Sequence, residues 1–154
     1  MLRISLQEFA RSGSLGSIKP GTCRSDVMGF FGQPSDWGLP PTTIDAADIW
    51  KYGDFEIHFL DDSVWMIFTD YFDVPRGGDT IDIDPWILRS GLDCADLQNA
   101  LNASDISFTS QPNRHNVDET DIITIGRVYF TFREKDNEFG PSGLCAFHTD
   151  TANA

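Results

Sequence analysis

At 154 residues the chain is long enough to bury one sizeable core without staples, and its 40% hydrophobic and 12% aromatic content excludes a disordered polymer. Acidic residues number 24 against 11 basic ones, and the formal charge of −13 repels nucleic-acid phosphates and anionic lipid while favouring cationic partners. The three cysteines, Cys23, Cys94 and Cys145, are odd in number and lack C-x-x-C spacing, so neither a disulfide framework nor a zinc site is indicated, and a reducing cytosol fits best.

Met1 to Ser5 runs straight into polar Gln7 and Glu8 without the apolar run of a signal peptide, and no later stretch approaches a membrane span, so a cytoplasmic protein without membrane contact is expected. Ser5 with Glu8 three residues on is a capping-box pattern, and Leu6 and Phe9 at helical spacing before Gly13 predict a first helix of about two turns. Ser14 to Gly21 reads as a linker. Val27, Phe30 and Phe31 mark the apolar face of a second helix, Arg24 to Phe31, which Gly32 ends and Pro34 cannot continue. Gln33 to Thr43 reads as an irregular loop that carries Trp37 as an exposed ring.

Asp48 to Asp70 organises the rest. Phe55, Ile57 and Phe59 alternate with Asp54, Glu56 and His58, the period that sends one set of side chains into a core and the other toward water. Asp61-Asp62-Ser63 breaks the run, Val64 to Thr69 is again rich in β-branched and aromatic residues, and Ile49, Trp50 and Tyr52 precede Gly53. The pattern predicts a three-stranded antiparallel meander. Asp73 to Gly78 reads as a loop, and Thr80 to Asp84 as a short edge strand that Pro85 stops, with Asp79, Asp82 and Asp84 blunting the edge rather than holding calcium.

Further on, Asp93 and Asp96 cap a predicted helix whose apolar face is Leu97, Ala100 and Leu101. Ile106 to Thr109 is a strand candidate, Gln111 to Asp121 a mobile polar connector, and Ile122 to Ile125 with Val128 to Phe132 a strand pair around Gly126-Arg127. Glu134 to Ser142 reads as a charged loop, and Leu144 to His148 as the last strand. The fold class is therefore α+β: an antiparallel sheet with helices packed on one face, one domain over 1–149, and a frayed tail over 150–154. Both halves run helix, polar loop, short strand, Gly, alternating strand, turn, strand, which places tandem helix-plus-meander repeats at 14–72 and 86–149. Gly53 then lies against Gly126 and Phe55-Phe59 against Val128-Phe132.

Chemistry-bearing residues are few. His58 and Glu56 share the wet face of one strand and could form a carboxylate-histidine site, yet neither His115 nor His148 stands at ligand spacing from them. Cys23 at a helix start has no visible base partner. No G-x-S-x-G, P-loop or dinucleotide-binding glycine pattern occurs, so no catalytic residue, metal or cofactor is assigned. What remains is a set of amphipathic rings among acidic residues. Trp37, Asp54, Glu56, Asp61, Asp62, Asp70 and Tyr71 are assigned to the binding of a basic protein, rings as anchors and carboxylates for steering.

The motif W-K-Y-G-D-x-E-I-H-F, carried by Trp50 to Gly53, Asp54 and Glu56 to Phe59, resembles a widespread group of small uncharacterised bacterial proteins, and the likeness continues through Asp84-Pro85-Trp86 and Gly91-Leu92. That group brings no activity with it. Ile18, Gly21, Val27, Gly32 and Pro34, followed by Trp50-Lys51-Tyr52, are similar to the helix-pair-plus-sheet module of the outer-membrane small protein A lipoproteins, although Cys23 stands where that family usually has Thr and the lipoprotein signal is missing. Two such modules in tandem resemble the β-lactamase inhibitory protein, whose sheet grips another protein, and small acidic toxin-immunity proteins use comparable chemistry. These resemblances imply an immunity-type inhibitor of a basic bacterial toxin or nuclease. A small metal-dependent or hydrolytic enzyme using His58 and Glu56, and a structural protein without a specific partner, stay open as alternatives, and nothing in the sequence sets the oligomeric state.

Overall fold

In the computed structural model, which describes residues 1–151, the order is β1 (Leu2–Ser5), α1 (Leu6–Ser12), α2 (Arg24–Phe31), β2 (Ile49–Tyr52), β3 (Phe55–Leu60), β4 (Ser63–Thr69), β5 (Ile81–Asp84), α3 (Cys94–Ala103), β6 (Phe108–Pro112), β7 (Glu119–Thr124), β8 (Val128–Arg133) and β9 (Gly143–Thr149). Seven strands form one antiparallel sheet in the order β2-β3-β4-β9-β8-β7-β6, and β1 pairs with β5 in a separate parallel ribbon. The α+β architecture read from the sequence is the architecture of the chain.

Local chemistry accounts for the helices. Ser5, in extended conformation, accepts the Glu8 N–H on its Oγ, and Gly13 at φ 75° returns its own N–H to the Phe9 carbonyl, which fixes both ends of α1. Glu8 turns to Arg11 instead of back to Ser5, so the reciprocal half of the capping box does not form. Helix α2 spans the expected residues, and α3 starts after Asp93, whose side chain makes no capping bond.

The alternating strand residues Phe55, Ile57, Phe59, Val64, Ile67, Val128, Phe130 and Phe132 are all buried, and they share one hydrophobic cluster with Leu6 and Phe9 of α1, Val27 and Phe31 of α2, and Leu97 and Leu101 of α3. The helices thus cover the same face of the sheet. Trp50 and Tyr52 belong to that core: the Trp50 indole N–H donates to the Ile44 carbonyl, and the Tyr52 hydroxyl, its pKa raised by burial, donates to the Gly32 carbonyl.

The structure adds to or departs from the sequence reading at several places. Leu2 to Ser5, where the sequence indicates no element, pair in register with Ile81 to Asp84. That partner is an edge strand as expected, though of a separate two-stranded ribbon, and Asp82 accepts a bond from Arg3 at 2.7 Å. Gln111 to Asp121 is not a mobile connector. Strand β6 lies two residues beyond the expected start and pairs with β7 through Pro112, and the short turn between them is held by Asn113, whose side-chain oxygen accepts from the His115 and Asn116 N–H groups. Trp37, expected in the open, is half-buried against the core. Of the segment read as a frayed tail, Asp150 is tied by its backbone N–H to the Arg127 carbonyl and by its carboxylate to the Arg127 guanidinium at 2.8 Å; 152–154 lie outside the described residues.

Outward from the β4/β9 seam lie β3 and β2 on one side and β8, β7 and β6 on the other. Trp65 is left unpaired by a register shift between β3 and β4, and Cys145 by one between β8 and β9. Each is the third residue of its strand, one in each of the segments read as repeats, 14–72 and 86–149. Gly53 and Gly126, aligned by the same placement, both sit where another backbone passes: a Cβ on Gly53 would lie 2.6 Å from the Arg76 carbonyl oxygen, and one on Gly126 would lie 2.8 Å from that of Ala10.

Candidate protein-binding site

The side chains that alternate with the core point to the opposite face of the sheet, where none of the helices' buried residues lie. Register sets them in a row across the strands: Glu56 opposite Phe68, Phe68 opposite His148, His148 opposite Tyr129, Tyr129 opposite Ile123. The rings in this row touch one another. His148 stacks on Tyr129 with centroids 5.0 Å apart and planes 9° from parallel; Phe68 lies 6.3 Å from His148, and His58 stands edge-on to Phe68 at 6.0 Å. Each ring of the ladder is half-buried, so part of every ring remains available to a partner.

Orientation is fixed at both ends. His58 Nε2 meets Glu56 Oε1 at 3.0 Å, with both side chains about one-fifth exposed. At the other end the Arg127 guanidinium covers the Tyr129 ring at 5.5 Å and donates to the Tyr129 hydroxyl and to Asp150. The neighbouring Asp121 carboxylate is buried and enclosed, accepting from the Asn113 amide and from the Thr131 hydroxyl at 2.8 Å. It holds the β6–β7 turn in place.

Beside the row, Asp54, Asp70, Tyr71, Asp73, Arg76 and Arg133 line a cleft of about 540 Å³. Asp54 accepts the Arg76 backbone N–H at 2.8 Å, and the Arg133 guanidinium donates to the Pro141 carbonyl, so neither arginine is ion-paired to Asp54 or Asp70. Partial burial and then the Glu56 charge raise the Asp70 carboxyl above its ordinary range, against the smaller pull of its own backbone and of Lys51. Burial also pushes the Cys145 thiol, on the wall of the cleft, up to about 11. A second hollow, at the β2 edge, is lined by Trp37, Ile49, Lys51 and Glu56 together with Asp36 and Asp48.

The sequence-assigned residues therefore separate into two groups. Asp54, Asp70 and Tyr71 share the cleft, Tyr71 at its lip and 90% exposed, and Glu56 lines the hollow that holds Trp37. Asp61 and Asp62 lie at the far end of the hairpin, the length of β3 away, roughly 20 Å. There they form the tight turn at φ 51° and 60°, and Asp62 accepts from Arg24 Nε at 2.9 Å. Phe68, Tyr129 and His148 were not singled out in the sequence. Period-two parity indicates their face, but their meeting depends on the β4/β9 pairing, which joins residues 80 apart and has no local signal.

Among the described residues no three His, Cys, Asp or Glu side chains come together as a metal-binding group, and no helix is long and apolar enough to cross a membrane. Compared with known proteins, the chain matches no family model, no curated protein and no solved structure.

Proposed function

We propose that this protein is a non-catalytic, acidic protein-binding module acting in the cytosol, of the immunity type, which neutralises a basic toxin or nuclease by covering it with the open face of its sheet. The observation that carries this reading is the ladder His58, Phe68, His148 and Tyr129 on a sheet face that carries none of the helices' core contacts. A water-facing antiparallel sheet is commonly built from polar residues, so half-exposed rings flanked by carboxylates fit a surface that another protein completes.

The test begins with a basic protein encoded beside this one, expressed and titrated against it by calorimetry and stopped-flow. The reading requires a complex whose association slows as salt rises and whose dissociation quickens by about a hundredfold in Phe68→Ala/Tyr129→Ala. Association indifferent to salt, or dissociation unchanged in that double variant, refutes it. A second reading, a metal-dependent or hydrolytic site, rests on the 3.0 Å His58–Glu56 contact. Stoichiometric metal that is lost in His58→Ala while the fold persists would favour it.

A further inference from the structure

The row on the open face is symmetric in position and unsymmetric in chemistry. Phe68 and His148 face each other across the β4/β9 seam, and their outer neighbours, Glu56 and Tyr129, occupy matching places one strand further out. On the Glu56 side, Asp36, Asp48, Asp54, Glu56, Asp70 and Asp73 line the two hollows, where Lys51 and Arg76 are the cations contributed from that side and Arg133 reaches in from β8. On the Tyr129 side Asp150 is paired with Arg127, Asp121 is buried against Asn113 and Thr131, and Glu119 accepts from the Asn116 amide. Carboxylates that line open hollows thus gather toward one end of the row, and stacked rings lie at the other.

Resting on the protein-binding reading above, we infer that the open face takes its partner in one direction only: a basic protein segment laid across the strands, its arginines or lysines over Glu56, Asp54 and Asp70 and its apolar side chains over His148 and Tyr129. A second copy of this chain does not fit. Two molecules at −13 repel, and an isologous contact about the seam would set acidic ends against acidic ends or against ring ends whose Arg127 is already paired with Asp150. From β3 to β8 the row crosses three inter-strand spacings, about 14 Å, which an extended segment of about four residues or a helical one of about nine would span.

The test uses the isotope-labelled full chain and a synthetic peptide with three arginines at one end and a Trp-Leu pair at the other, carrying a nitroxide at either end. The nitroxide on the arginine end is expected to broaden the amides of Glu56, Phe68 and Asp70 more strongly than those of Ile123 and Tyr129, and the nitroxide on the Trp-Leu end to do the reverse. Replacing Asp54, Glu56 and Asp70 with their amides should weaken the peptide about tenfold and abolish the difference between the two labels, with an otherwise native amide spectrum. Equal broadening of both ends by both labels overturns the direction while leaving docking on this face intact. Broadening centred on α1 to α3, or no saturable binding at millimolar peptide, overturns both the direction and the reading beneath it.

Discussion

Arg24 is the residue whose replacement the structure prices most sharply. Its guanidinium lies 4.2 Å from the Phe59 ring centroid and 5.2 Å from that of Trp50, rings that themselves meet edge to face. Its Nη1 donates to the Ala47 carbonyl at 2.7 Å, which pins the loop entering β2, and its Nε reaches Asp62. The Arg24 side chain is 13% exposed and that of Asp62 is 79% exposed, so the parts differ in worth. A charged bond to a sheltered carbonyl contributes about 2 kcal/mol, the partly desolvated cation–π contacts about 1, and the exposed carboxylate well under 1. Urea unfolding followed by tryptophan fluorescence should therefore show Arg24→Ala losing about 3 kcal/mol and Asp62→Ala less than about 1, with Arg24→Lys, which cannot keep the planar fork between two rings, losing about 2. An Arg24→Ala cost below about 1 kcal/mol, or an equal cost for Asp62→Ala, would refute the assignment of this arginine as the clamp between hairpin, helix and loop.

Gly126→Ala would place a Cβ 2.7 Å from the Gly13 nitrogen and 2.8 Å from the Ala10 oxygen, both backbone, so it should cost about 2 kcal/mol or more and strip hydrogen-exchange protection from α1; unchanged protection would contradict the packing. Cys23 is exposed, whereas Cys94 and Cys145 are partly buried with thiols pushed up by burial, so iodoacetamide at pH 8 should label Cys23 first by mass spectrometry, and equal rates would contradict this order. For Asp70 the folded carboxyl titrates above its ordinary value, so ionisation disfavours the folded state. Asp70→Asn should raise stability at pH 7, and thermal melts should show the gain vanishing as pH falls below the ordinary Asp value, where the wild-type group is protonated in both states; a gain that persists there would contradict the cause.

The part of the fold that the sequence exposes is the part set by neighbours along the chain. Phe55, Ile57 and Phe59 alternate, Asp61 and Asp62 tolerate the left-handed backbone of a tight turn, and Gly32 stops α2, so hairpin and helix could be read residue by residue. Strand β1 was invisible because Leu2 to Ser5 becomes a strand only through Ile81 to Asp84, and β6 was misplaced because Thr109, Ser110 and Gln111 are polar edge residues defined by pairing with β7. The same reason hid most of the binding row. Glu56 and His58 could be paired from one strand, whereas Phe68, His148 and Tyr129 come together only across the seam, and Asp61 and Asp62 were drawn into the site by charge although a strand's length separates them from Asp70.

The aromatic row has a possible structural explanation that its magnitudes limit. Strands β4 and β9 share only two residue pairs, Phe68 with His148 and Thr69 with Phe147, and Thr149 adds a side-chain bond to the Ile67 N–H at 3.0 Å. A stack over so short a seam strengthens it, yet cross-strand ring pairs contribute on the order of 0.2–1 kcal/mol each. The other side of the same seam already carries Phe147 packed against Phe9, Phe55, Phe72 and Phe130, a cluster that buries far more apolar surface than the open ladder. Joining the halves therefore does not require rings on the wet face, where small or polar pairs would serve as well. Nor does solubility require them, because the chain already carries a charge of −13. The arrangement left unexplained by stability alone is the placing of Phe68, His148 and Tyr129 in one half-buried line with accessible carboxylates gathered toward one end, and the proposed recognition of a cationic protein surface would account for both the rings and the bias of charge along them.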